Sequence, residues 1–354
     1  MNNKLRLLLN NLIPSVMAVI GAFLIALVFV ILVRQNPGIA FQALIEGGFV
    51  GKQNIANTLM KATPLILTGL AFTIASRAGV FNVGAEGQLY LGAFFSTIAV
   101  LALPNLPGFL LIPVSLLVGA FVGAVWAILP AYLKLRFKVN EIISTIMFNY
   151  AAILFTSYLV NHPFKAKDAQ FAATEIIPEQ AFLIRLLPPS RLSAGFLIAI
   201  VLVVLMWFFL FKTKWGYEFR HVGQAPHFST YIGISFPRTI ISAMAISGAI
   251  AGIAGTIEVL GVHHRFLDNF SPGFGFTGII VSLLGKVNPI GDLLGGIFLG
   301  GLTQGALMME LNASIGRELV DVIKAVLFIS LAAAEAYKPI VHFFSERRGK
   351  IQDA

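Results

Sequence analysis

Residues 12–33, 109–133 and 194–211 are unbroken apolar runs, each near the length of helix that a bilayer demands. A hydrocarbon core about 30 Å thick takes roughly 20 apolar residues per helix. Lipid offers no partner to open backbone groups, so only helices or closed barrels can span it. Continuous runs without period-two alternation select the helix. Composition leaves little room for a soluble domain: 57% of the 354 residues are apolar and only 12% charged, with a mean hydropathy of +0.86. The fold class is therefore an all-α polytopic membrane protein with about ten spans, at 12–33, 62–77, 80–103, 109–133, 142–161, 193–212, 239–261, 273–286, 290–309 and 319–337. The first run follows Lys4 and Arg6, as a secretory signal would. It is longer than a signal core, lacks a small-x-small cleavage site and is followed by more spans, so it reads as an uncleaved first span.

Charge orients the chain. Ten crossings beginning inside put on the cytoplasmic face the termini, Arg77, the cluster Lys134, Arg136 and Lys138, the loop with Lys212, Lys214, Arg220 and Arg238, then Lys286 and the tail with Lys338, Arg347, Arg348 and Lys350. That is about 15 Lys and Arg inside against about 9 outside, the direction of the positive-inside rule. The expected location is the cell membrane, as in a bacterial plasma membrane, with both ends in the cytoplasm. The net charge of +9 serves orientation and contact with anionic membrane lipid. Spread over many short loops, it argues against a nucleic-acid partner. The absence of cysteine excludes disulfides and thiolate metal sites.

The chain reads as one transmembrane domain over 1–354, with two loops longer than a turn requires. Residues 162–192 carry Pro163, Pro178, Pro188 and Pro189, and form either a docking surface or a cover over the outer mouth. In the 212–238 loop Pro226 can open a short helix. Phe228, Tyr231 and Ile232 then share one face, between Gly223 upstream and Gly233, which ends the turn. An apolar face on a cytosolic helix fits a partner groove or the lipid interface. Residues 62–161 and 239–337 echo one another: each contains a Gly-rich interruption, at 81–88 and 270–277, and each has a Glu opening a later helix, Glu141 and Glu318. An offset of five spans makes the copies inverted, and inverted repeats with broken helices are a transporter architecture.

Glu86 is the most telling residue, because a carboxylate on a broken intramembrane segment is costly unless paired or solvated. It either lines a pathway, or caps helix N–H groups, or pairs with Arg77. Asn82 and Gln88 flank it with amide donors and acceptors. Asn140 is placed to cap the fifth span, with Glu141 in its first turn, while Asn149 lies two turns inside as a pathway candidate. Phe276 offers a stacking face. Glu258 is a further intramembrane carboxylate, and Asp321 and Lys324 neutralise each other at i, i+3. His263 and His264 beside Asp268 are a weak hint of metal, and no metal site is expected. No phosphate-binding loop, nucleophile elbow or H-E-x-x-H occurs, so no catalytic residue is assigned and the chain is not read as an enzyme.

Three stretches, RAGVFNVGAEGQ at 77–88, VNEIISTIMFNY at 139–150 and GFGFTGIIVSLLGK at 273–286, together resemble permeases of the ribose, simple-sugar and nucleoside branch of ATP-binding-cassette importers. The resemblance spans roughly residues 60–340 and is greatest to the larger permease of lipoprotein-dependent nucleoside systems. It implies a cytoplasmic ATPase partner that holds ATP and Mg, with no cofactor on this chain. It also implies a second permease subunit in a heterodimer and an extracellular substrate-binding lipoprotein. In that family the loop between the halves bears the helix that docks on the ATPase; Gly223 to Ile234 matches its place, although Phe228, Ser229 and Thr230 replace the usual Ala-rich centre. A sugar permease is the nearest rival. An ion-coupled carrier is the rival from another class, and its uptake would collapse with the ion gradient.

Overall fold

The structure is a computed structural model and describes residues 19–32, 34–167, 169–313, 316 and 318–331. The basic tail and the outer parts of the first and last expected spans lie outside these residues. The described chain is helical, with no strand among the described residues and only two isolated bridges, Ala173 with Leu267 and Arg185 with Ser193. In order the helices are α1 (Val19–Leu32), α2 (Pro37–Phe49), α3 (Lys52–Arg77), α4 (Ala85–Ala102), α5 (Gly108–Phe137), α6 (Glu141–Asn161), α7 (Gly195–Lys212), α8 (Lys214–Gln224), α9 (Pro226–Tyr231), α10 (Phe236–Glu258), α11 (Phe274–Leu284), α12 (Pro289–Ala313) and α13 (318–331). A π-helical turn, Val259–His263, continues α10.

Among the described residues seven of these helices are long and apolar enough to cross a membrane: α3, α4, α5, α6, α7, α10 with its π turn, and α12 to Leu311. Helices α1 and α11 are apolar but shorter. The chain divides into two compact units, one from the described parts of 1–47 and 305–354, the other Gly48–Gln304. In the first, Phe23 and Phe41 pack with ring centroids 5.8 Å apart, and Lys324 Nζ lies 3.2 Å from Asp321.

The larger unit is built inside out relative to a soluble bundle. Its most apolar helix, α7, is one of its least buried, and α5 likewise shows only 22% of its apolar window buried, against 83% for α3. Phe121, Leu154 and Phe208 stand exposed, while Thr68, Ser96 and Thr97 are buried. That is the distribution expected when the surrounding solvent is lipid. The buried hydroxyls find backbone carbonyls, in their own helix as Thr97 does at Ala93, at 2.7 Å, or in another as Thr68 does at Phe274 of α11, at 2.9 Å. Helices α4, α5 and α10 meet through glycine: a Cβ on Gly252 would strike the Gly119 carbonyl, one on Gly248 the Gly123 carbonyl, and one on Gly255 the Leu89 carbonyl. Only backbone can approach backbone this closely.

Helices α2 and α8 fall outside the expected spans, and two further helices begin elsewhere than expected. Helix α3 begins at Lys52, not 62, because Lys52, Gln53, Asn54, Asn57 and Lys61 interrupt the apolar run without breaking the helix. The 80–103 span is helical only from Ala85, after turns at Gly79 and Val83–Gly84. Basic side chains collect at one end of this unit. Arg77 and Arg220 both lie over the Phe211 ring, at 5.8 and 5.4 Å, and Arg77 Nε donates to the Val287 carbonyl at 2.6 Å. At the other end the 162–191 loop is tied down. Leu183 N donates to the Leu260 carbonyl, Ile177 N to that of His264 and Thr174 N to that of Phe266, at 3.0, 2.9 and 3.0 Å.

Candidate functional site

The two Gly-rich interruptions, far apart in sequence, meet in space. Glu86 sits in the first turn of α4, 3% exposed, and its Oε2 accepts from Gly275 N–H, in the first turn of α11, at 2.5 Å. Two helix N-termini thus converge on one acid, which both partial positive ends favour. Close approach is built in, since a Cβ on Gly275 would lie 2.8 Å from Glu86 Cα. The capping role weighed for Glu86 matches this geometry. A pair with Arg77 does not, because that guanidinium is bonded at the Val287 carbonyl.

Asn82, Gln88 and Asn149 form the rest of the knot. Asn82 Nδ2 donates to Gln88 Oε1 at 2.9 Å and to Ser247 Oγ of α10 at 2.8 Å. Gln88 Nε2 returns a bond to Asn82 Oδ1 at 3.1 Å, and Ser247 donates to the Ala71 carbonyl of α3 at 2.6 Å. Asn149 of α6 accepts from Gly87 N at 2.7 Å and donates to the Val83 carbonyl at 2.8 Å. All three amides are buried and spend their polar groups on one another, on the turn before α4 and on α4 and α10. Phe276 stands apart from them, 44% exposed on α11. Asn140 accepts from Ile142 N at the start of α6, and Glu141 pairs with Lys134 at 2.5 Å.

The α8–α9 hairpin lies at the basic end. Thr213 caps α8 by accepting from Gly216 N, Pro226 opens α9 at its first turn, and Gly233 ends it at φ +82°. Phe228, Tyr231 and Ile232 project outward, Tyr231 with 89% of its surface exposed, while Ser229 is buried. Gly223, near the end of α8, touches backbone in the α3–α4 connection: a Cβ there would lie 3.0 Å from Gly79 N. The hairpin therefore bears directly on the turn that leads into Glu86.

A cavity of about 170 Å³, lined in part by Lys61 and Pro64 of α3, Glu258 and His263 of α10 and its π turn, and Phe270 and Phe274 at the entry to α11, is the site that the sequence reading did not assemble. Lys61 went unmarked and Phe270 and Phe274 were noted only as members of the second interruption, so the remaining signals were the proline inside an apolar run and the lone carboxylate at 258. His263 Nε2 lies 3.7 Å from Glu258, whereas His264 stacks on Phe182 at 3.8 Å and Asp268 accepts from Ser157 at 3.0 Å. These three side chains point to different partners, and among the described residues no group of three metal-ligating side chains converges.

Comparison with known proteins places this architecture. The guanosine ABC transporter permease protein NupP of Bacillus subtilis is 34% identical over 92% of this chain and 94% of its own length. The nucleoside ABC transporter permease protein NupB of Lactococcus lactis is 33% identical over 94% and 92%. The glucose ABC transporter permease protein TsgB13 of Haloferax volcanii is 31% identical over 94% and 90%. Residues 54–332 match the family described as branched-chain amino acid transport system / permease component. With the breaks at Glu86 and Gly275 inside the matched region, the chain belongs to that family of multi-pass membrane permeases, transport subunits rather than enzymes.

Proposed function

We propose that this chain is the nucleoside-conducting permease of an ATP-driven importer. The observation that carries the reading is identity of 34% and 33%, over more than nine-tenths of the chain, with permeases named for guanosine and for nucleosides. The chain crosses the membrane about ten times as two inverted repeats, 62–161 and 239–337, with both termini cytoplasmic. The repeat reading draws support from packing, since α10 lies on α4 as α3 lies on α11, and each second helix follows a break. Helix α9 is the coupling element. Phe228, Tyr231 and Ile232 enter a groove of a cytoplasmic ATPase that holds ATP and Mg, and Gly223 passes motion to Gly79. A second permease subunit completes the pore, and a receptor lipoprotein delivers cargo. The candidate lining groups, Asn82, Gln88, Asn149 and Phe276, are uncharged, and the multiple cations that a phosphorylated nucleotide would require are missing from that set.

The test is uptake of labelled guanosine by the full complex in proteoliposomes with ATP in the lumen, a nonhydrolysable analogue as control, and competitors added outside one at a time. Competition by several nucleosides, with ribose and nucleoside monophosphates ineffective, is the expected pattern. Efficient competition by free sugar would move the chain to the simple-sugar branch, the second reading, which the 31% identity with a glucose permease favours.

A further inference from the structure

We propose that the cavity at the π turn is a transit site for the ribose of the cargo, with Glu258 accepting hydrogen bonds from its vicinal hydroxyls. This rests on the nucleoside reading and assigns a place within it. Four observations carry it. The π turn Val259–His263 widens the backbone where the cavity lies, and such single turns recur at functional sites. Glu258 is 5% exposed, and its imidazole neighbour, His263 Nε2 at 3.7 Å, is beyond hydrogen-bond distance. Pro64 has no N–H, so the Met60 carbonyl, also at the cavity, loses its helical donor. Each ribose hydroxyl both donates and accepts, which fits these two acceptors beside the His263 imidazole and the Lys61 ammonium, whose Nζ also donates to the Thr303 carbonyl at 3.4 Å. Phe270 and Phe274 supply an apolar wall, and Phe270 is braced by Tyr90 and Phe266 at centroid distances of 4.8 and 5.6 Å.

Size sets the stoichiometry. A space of about 170 Å³ equals some five or six waters at about 30 Å³ each, enough for one ring. The sugar enters and the base stays at the aromatic edge. One carboxylate against one ammonium and one imidazole makes no cluster for a phosphate.

The experiment compares maximal uptake of guanosine and 2′,3′-dideoxyguanosine by the reconstituted complex, each at a concentration that saturates the receptor in a separate titration. The wild type should move guanosine at least tenfold faster. Glu258→Gln should narrow that ratio at least threefold, and Val262→Phe, which fills the cavity, should lower the guanosine rate about tenfold. ATPase association and melting temperature of the purified complex serve as folding controls. A wild type that moves guanosine without discriminating, or a Glu258→Gln complex with the wild-type ratio, overturns the assignment and leaves the nucleoside reading standing. A wild type that takes up no nucleoside sinks that reading itself. If Glu258→Gln does not assemble, Val262→Phe decides: an assembled complex with undiminished guanosine uptake refutes the site.

Discussion

Glu86 accepts a hydrogen bond from the backbone of Gly275 across 189 residues of sequence. The carboxylate belongs to the first turn of α4 and its donor to the first turn of α11, so one side chain fastens the entry of one helix to the entry of another. A charge-assisted bond of this kind contributes about 1.5–3 kcal/mol. Glu86→Gln keeps an acceptor oxygen for Gly275 and loses only the charge assistance, so it should cost about 1 kcal/mol of stability in thermal melting while leaving uptake measurable. A Gln variant with unchanged melting but no uptake would instead make Glu86 a pathway group.

The same contact can be attacked from the other side. Gly275→Ala places a methyl 2.8 Å from Glu86 Cα, an overpacking cost of about 1–3 kcal/mol. Because both changes break one interface, the double variant should lose less than the sum of the singles. Additive melting shifts would separate the two residues energetically.

Asn82→Ala leaves Gln88 without its reciprocal bonds and Ser247 without a donor. A buried polar group so orphaned costs about 1–3 kcal/mol. We expect destabilisation of that size in thermal melting, and unaltered cargo selectivity in a variant so destabilised would leave Asn82 a brace rather than the lining group proposed above. A shift in selectivity with normal melting would assign Asn82 to the pathway.

Tyr231→Asp changes a side chain with almost no intramolecular packing, so stability should move by no more than about 0.5 kcal/mol. A carboxylate in an apolar groove is poorly solvated, and transport should fall with insertion intact. Cysteines placed at 228 or 231 should crosslink to the ATPase. Wild-type uptake and ATPase association by the Asp variant would remove α9 from the coupling path.

Gly223→Ala probes the next link. Its methyl would press on Gly79 N and the Arg77 carbonyl, while the outward face of α9 is untouched. ATPase binding should persist while receptor-stimulated hydrolysis and uptake decline together. Normal uptake would place the transmission elsewhere.

Much of this was legible beforehand where the signal is local. Apolar run length marked seven of the expected spans as long apolar helices, Pro226 and Gly233 bounded α9, and the spacing of 228, 231 and 232 put three apolar groups on one face. Asn140 followed by Glu141 read as a helix start. What the sequence withheld depends on partners distant in the chain. No periodicity announces that Glu86 meets Gly275, or that Asn82 reaches Ser247 on α10. A π turn has no compositional mark, so the approach of His263 to Glu258 was invisible, and with it the cavity. The start of α3 was missed because polar residues at 52–61 ended the apolar count without ending the helix.

The glycine contacts also bear on how the chain is made. Gly119 and Gly123 of α5 complete their packing against Gly248, Gly252 and Thr256 of α10, and Gly248 follows Gly123 by 125 positions. At a synthesis rate of about 5–20 residues per second, the groove on α5 is laterally open in the bilayer for roughly 6–25 s after it emerges. A small-residue groove is a surface on which any neighbouring helix can settle. The nascent permease therefore passes through an interval in which its inner wall faces lipid, and during that interval insertion machinery or a membrane chaperone that shields α5 would raise the yield of correctly paired protein.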